Sequence, residues 1–164
     1  MRNFTITDAK TGKEYWISRS VAAIVIFTAY NSKNEKCVLA VKRGKGTPDP
    51  EYVGCYCLPC GYVDFDETIE EAAMRELREE TGIVVSQSKF NLVGINDNPK
   101  EDKRQNISFR YLVESNLTVE MLQLMFSTKD SEKDEVDEIR MIPISSVNLY
   151  EWAFNHEALI GEYT

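Results

Sequence analysis

One helix constrains this chain more than any other segment. Between Asp66 and Gly82, the apolar residues Ile69, Ala73 and Leu77 recur every four positions. Gly82 follows Thr81 as a stop signal, so the spacing predicts a helix of about four turns. At roughly 100° per residue the apolar stripe also takes in Glu80, with Glu76 at its border and Glu79 beside them. Glutamates that serve only solvation belong on the opposite side, because burying an unpaired carboxylate is costly. One resolution is a bound cation: clustered carboxylate oxygens suit a hard ion such as Mg²⁺ or Mn²⁺, which can grip a phosphate. The other is an acidic helix face with Arg75–Glu79 and Glu71–Arg75 as i,i+4 pairs, each worth a few tenths of a kcal/mol. Glu70 also points inward, and the helix N-terminus accounts for it. The helical wheel by itself leaves both readings open.

Around this helix the pattern is mixed. Val21 to Tyr30 and Lys36 to Arg43 are rich in apolar and β-branched residues and flank a short polar loop, which reads as two strands. Gly44 to Gly54, rich in glycine and proline, reads as a surface loop. Phe90 to Ile95 and Ile107 to Val113 read as further strands, the second alternating Ile107, Phe109, Tyr111 and Val113 on one half-buried face. Leu117 to Phe126 reads as a short helix, Asp130 to Asp137 as an acidic loop, Ile139 to Ile144 as a last strand and Tyr150 to Ile160 as a closing helix. Strands and helices that interleave without strict alternation imply an α/β fold with a mixed sheet and helices on its faces.

The chain has 164 residues, enough for one domain with a real core, and no repeat or Ser/Gly/Pro-rich linker divides it. A single domain over residues 1–164, with its core at about 20–160, is the expectation. Its 27 acidic residues against 19 basic ones give a formal charge of -8, which repels nucleic acid polymers and anionic membrane surfaces. A small anionic substrate stays compatible, since a carboxylate-held cation reverses the local field. Val21 to Tyr30, the longest apolar stretch, is too short to span a bilayer as a helix, and residues 1–5 contain no apolar leader. A cytoplasmic protein follows as the expectation. Of the four cysteines, Cys55, Cys57 and Cys60 crowd together and Cys37 stands apart, unlike a secreted disulfide framework, so reduced thiols are the default. The C-x-C-x2-C run fits a zinc site only if Cys37 or His156 supplies a fourth ligand; its alternation also fits a buried strand.

The wider spacing decides between the two readings of the helix. Gly61, Glu67, Arg75, Glu76, Leu77, Glu79, Glu80, Gly82 and Ile83 form G-x5-E-x7-R-E-L-x-E-E-x-G-I, which resembles the complete signature of the Nudix hydrolase family. The resemblance implies a Nudix-type α/β/α sandwich with a mixed sheet. It also implies metal-dependent hydrolysis of the pyrophosphate bond in a nucleoside diphosphate linked to another moiety. Glu76, Glu79 and Glu80 would hold Mg²⁺ or Mn²⁺, Arg75 would orient the glutamates, Glu67 would brace the loop, and Gly61 and Gly82 would shape the motif. Cys60 stands where the family commonly has a second glycine whose carbonyl reaches a metal. A cysteine offers the same carbonyl if its backbone can take that conformation.

The family draws its general base either from the motif, Glu79 or Glu80 here, or from a later loop. Glu132, Asp134, Glu135, Asp137 and Glu138 lie there, and Glu135 is preferred. Asn98 to Arg104 is similar to the P-x-x-D-P-R loop of ADP-ribose pyrophosphatases, which makes Arg104 a candidate for a bidentate phosphate contact. Trp152 to Ile160 resembles the A-F-D-H helix of the same branch, and His156, the one histidine, is expected to pack rather than catalyse. ADP-ribose giving AMP and ribose 5-phosphate is the favoured reaction. Hydrolysis of a nucleoside triphosphate, or a non-catalytic domain sensing ADP-ribose or a nucleotide, are the alternatives. A homodimer is an expectation from the family alone.

Overall fold

The computed structural model describes residues 4–100, 105–131 and 134–164. An antiparallel hairpin, β1 (Phe4–Thr7) and β2 (Glu14–Ile17), forms a two-stranded sheet of its own. The main sheet is built around β3 (Val21–Tyr30) and β4 (Lys36–Arg43), at the bounds the apolar runs predict. They pair antiparallel only over Thr28–Tyr30 and Lys36–Val38, then diverge. Into the split fits a wedge: β5 (Tyr56–Cys57) pairs with β4, and β6 (Cys60–Tyr62) pairs with β3. After the helix α1 (Ile69–Thr81) come β7 (Asn91–Asn96) and β8 (Ile107–Glu114), and β8 lies parallel to β3 along Val21–Thr28. A short helix, α2 (Val119–Gln123), leads to β9 (Val136–Pro143), which lines the other side of β4. The last element is α3 (His156–Tyr163). The sheet is therefore mixed.

Both faces of this sheet are covered. Ala72, Ala73 and Leu77 of α1 pack with Ala23, Val25, Phe27 and Leu39 on one face. Leu159 and Ile160 of α3 pack with Ile24, Ile26, Val38 and Ile142 on the other. Alternation of side chains along β3 and β4 explains how one strand feeds two cores. The same cover corrects the half-buried reading of β8. Leu112 joins the α3 side while Tyr111 and Val113 join the α1 side, and Arg110 reaches Tyr163.

Two further expectations shift. The closing helix begins at His156 rather than Tyr150, because Phe154 and Asn155 adopt φ of 58° and 61° and a helix cannot run through them. The last strand begins at Val136, so Asp137 and Glu138 are strand residues rather than loop residues. The segment 44–54 is not wholly a surface loop, since Gly44 and Thr47 are buried. Among the described residues no helix is long and apolar enough to cross a membrane.

Candidate active site

The start of α1 is fixed by a capping box. Thr68 accepts a hydrogen bond from Glu71 N through its hydroxyl, and the Glu71 carboxylate accepts one from Thr68 N. Its end is fixed by Gly82, whose φ of 77° is left-handed and whose N–H donates to Arg78 O. Between these caps Glu76, Glu79 and Glu80 are carried beneath the wedge.

Glu80 is the deepest, at 4% exposure, and its Oε2 accepts from Cys60 N at 3.2 Å. Burial pushes its carboxyl well above the ordinary range, and the nearby Cys57, Glu76 and Glu135 add to the rise. Glu76 is raised to about 7, first by burial, with Arg75 opposing and Glu79 and Glu135 reinforcing the shift. It lies against Gly61 so closely that a Cβ there would overlap its carboxylate. That close approach is the requirement for glycine at position 61. Cys60 is an extended residue of β6 paired with Ile24 and has no positive φ, so the left-handed freedom of glycine is not needed there.

Arg75 ties the motif together. Its guanidinium meets Glu67 twice, at 2.7 and 3.1 Å, Glu76 at 2.6 Å and Glu79 at 3.4 Å, and it donates to Tyr62 O at 2.9 Å. Glu67 in turn accepts from Asp64 N at 2.7 Å, and its carboxyl is held below the usual range, chiefly by Arg75. The expected brace is thus a hydrogen-bonded one. Arg75 neutralises Glu67, Glu76 and Glu79 but makes no ion pair with Glu80.

This asymmetry bears on the metal. As they stand, the three glutamates face different partners, and among the described residues no three Cys, His, Asp or Glu side chains converge on one point. The donor chemistry nevertheless fits a hard divalent cation: a buried carboxylate without a cationic partner lies beside two others, and all supply oxygen. It does not fit zinc at the cysteines. Cys37 is buried near the start of β4 with its thiol on Glu35 O, and His156 Nδ1 accepts from Leu58 N at 3.0 Å. His156 is fully packed, and burial lowers its pKa to about 3, in line with the structural role expected of it.

Of the acidic residues after position 130, Glu135 raises both Glu76 and Glu80, so its charge is felt at the site. Its backbone carbonyl accepts from Gly44 N at 2.7 Å, tying that segment to the end of β4. Glu138 instead accepts from Tyr56 Oη at 2.8 Å and pairs with Arg140. Arg104 and Glu132 lie outside the described residues. A residue the sequence reading missed is Arg43, buried at the end of β4. It bonds to Thr47, pairs with Asp49 at 3.3 Å, reaches Cys57 Sγ at 3.9 Å and stacks over Phe154 at 4.8 Å. An arginine closing a strand carries no spacing signal that sets it apart from a solvated one.

Comparison with known proteins bears on this arrangement. The profile of the NUDIX domain family matches residues 19–162. An ADP-ribose pyrophosphatase of Methanocaldococcus jannaschii is 29% identical over 126 residues, covering 77% of this chain and 64% of that protein. A protein of Lactococcus lactis subsp. cremoris named "Probable DHNTP pyrophosphohydrolase" is 40% identical over 63 residues, covering 35% of this chain and 38% of that one. The chain thus spans less than two thirds of the length of either relative. Among solved structures, the NUDIX domain of Shewanella oneidensis NrtR complexed with ADP ribose superposes with a TM-score of 0.69 at 22% identity, covering 94% of this chain and 90% of that one.

Proposed function

This chain belongs to the NUDIX domain family, and from that premise we propose that it hydrolyses the pyrophosphate bond of ADP-ribose to AMP and ribose 5-phosphate. The observation that carries the reaction class is Glu80, a buried carboxylate beside Glu76 and Glu79 that Arg75 leaves without a countercharge. Glu76, Glu79, Glu80 and the Cys60 carbonyl would hold a divalent cation, Mg²⁺ or Mn²⁺. When bound, it supplies charge neutralisation on the pyrophosphate oxygens and a lowered pKa for the attacking water.

The chain's own residues do the rest. Arg75 holds Glu76 and Glu79 in position and opposes the rise that burial imposes on the Glu76 carboxyl, while its bond to Tyr62 O fixes the strand that carries Cys60 and Gly61. Glu135 accepts the proton from the attacking water, with Glu79 and Glu80 of the motif as the other candidates. Arg104 takes a phosphate oxygen. The substrate assignment is supported by the Methanocaldococcus relative and by the likeness of Asn98–Arg104 and Trp152–Ile160 to the ADP-ribose pyrophosphatase branch.

A second reading is release of pyrophosphate from a nucleoside triphosphate, and the Lactococcus relative is named for a pyrophosphohydrolase, its substrate there being DHNTP. Chromatography of products separates the two. Incubation with Mg²⁺ and ADP-ribose should yield AMP and ribose 5-phosphate, abolished by EDTA. Pyrophosphate from one member of a triphosphate panel would replace the substrate, and binding of ADP-ribose without turnover would make the domain a sensor.

A further inference from the structure

We propose that Arg43 is a positioning residue for the reaction: by bracing the turn from Gly44 to Thr47, it fixes where Glu135 stands relative to Glu76 and Glu80. This role rests on the proton-accepting part given to Glu135 above; the brace itself does not. The turn is closed by Thr47 N, which donates to Gly44 O at 3.3 Å. Its two glycines clasp the segment that leads into β9: Gly44 N donates to Glu135 O and Gly46 N to Asp134 O, both at 2.7 Å. The approach is close enough to demand glycine at position 44, where a Cβ would collide with Asp134 O, a backbone atom that cannot swing away. The β4–β9 ladder is irregular at the same point. Val136 faces Arg43 and Glu138 faces Lys42, so Asp137 is an extra residue that re-aims the strand.

Arg43 holds this turn from within. Its Nη2 donates to Thr47 Oγ1 at the far end of the turn and pairs with Asp49 at 3.3 Å, while Nη1 reaches Cys57 Sγ at 3.9 Å. The Phe154 ring lies 4.8 Å from the guanidinium carbon. The backbone is tied as well, since Arg43 N donates to Cys55 O at 2.9 Å and Arg43 O accepts from Gly54 N at 2.8 Å. The guanidinium is thus anchored to β5 and the Phe154 ring, and through Thr47 it sets the turn that clasps Asp134 and Glu135.

Stability alone is a weak reason for this arginine. The residue is 6% exposed, and its Nε meets no hydrogen-bond partner among the described residues. An apolar side chain in such a place often serves a fold as well or better. Misplacing a reacting group by about 1 Å, by contrast, can cost roughly 100-fold in rate. Glu135 is the group that such a brace would place, because its charge is felt by both Glu76 and Glu80.

The test uses Thr47→Val, which removes the acceptor of the Arg43 bond but keeps the shape and the backbone of the turn. Arg43→Lys, which keeps the charge and loses the fork, accompanies it, and Thr47→Val stands alone if the lysine variant does not fold. On ADP-ribose with Mg²⁺, each should lower kcat by about tenfold and leave KM within about twofold, and Thr47→Ser, which retains the hydroxyl, should recover kcat. Glu135→Gln should cost about 100-fold or more as the loss of a general base, and adding Thr47→Val to it should cost nothing further. Amide hydrogen exchange at Gly44 and Gly46 should quicken by about tenfold in Thr47→Val. Losses that multiply in the double variant, or a parental kcat in Thr47→Val, would overturn the positioning role. Unchanged protection of both amides would overturn the brace, even in a chain that turned over no substrate. Glu135→Gln at the parental rate would remove Glu135 as the base and this role of Arg43 with it, while EDTA-sensitive turnover would leave the proposed reaction standing.

Discussion

Gly61 and Glu76 lie so close that the carboxylate of one occupies the place where a side chain on the other would begin. The obstacle is the far end of a rotatable side chain, so Gly61→Ala should swing Glu76 aside rather than unfold the protein. We expect activity to fall by about tenfold or more, equivalent to ~1.4 kcal/mol of transition-state stabilisation, with little change in melting temperature. Steady-state kinetics beside a thermal melt checks this; full activity would show that the position of Glu76 is immaterial.

Arg75→Lys separates charge from geometry. Lysine keeps the positive charge but loses the fork that meets Glu67 twice while also reaching Glu76, Glu79 and Tyr62 O. Because the fork sets where Glu76 and Glu79 stand, its loss should lower kcat by about tenfold, equivalent to ~1.4 kcal/mol of transition-state stabilisation. A lysine variant with the parental kcat would reduce Arg75 to a mere countercharge.

Much of this was legible in the sequence, for physical reasons that differ by element. β3 and β4 match their apolar runs because both are buried on two faces and leave no polar alternation to blur their ends. The motif helix was anticipated from Asp66 but begins at Ile69, since Thr68 serves as its cap. The hairpin β1–β2 escaped notice because its residues are mostly exposed and make no core pattern. Of the wedge, the cysteine alternation pointed to a buried strand, but its two arms were not separated because Pro59 interrupts two very short strands. Of the site, the glutamates and Arg75 were readable from spacing, whereas the burial of Arg43 is a product of packing.

His156 gives a pH signature. Its imidazole accepts from Leu58 N and has a folded pKa of about 3 against an ordinary 6.5, so the folded protein favours the neutral ring. A depressed folded pKa contributes stability that is present above about 6.5 and lost as pH falls toward 3. His156→Asn offers a neutral acceptor in place of Nδ1. Urea midpoints between pH 7.5 and 5 should therefore fall more steeply for the parent than for the variant; parallel slopes would count against a buried neutral histidine.

Metal binding should release protons. Burial pushes the Glu76 carboxyl up to about 7 and that of Glu80 well above its ordinary range, yet a carboxylate must be ionised to serve as a ligand. Apparent Mn²⁺ affinity should rise with pH from 5.5 through about 7. Calorimetry in buffers of different ionisation enthalpy would show the released protons, and pH-independent affinity would remove Glu76 and Glu80 from the ligand set.

The most direct test is the turnover of ADP-ribose by Glu80→Gln beside the parent, at saturating Mg²⁺ and with an EDTA control. Glutamine keeps the volume and shape of a side chain at 4% exposure but cannot ionise to serve as a ligand, so the fold should persist and the metal-free variant should melt no lower than the parent. The account predicts EDTA-sensitive release of AMP by the parent and a loss of about 100-fold or more in the variant, near 2.7 kcal/mol. Unchanged turnover by Glu80→Gln would contradict it.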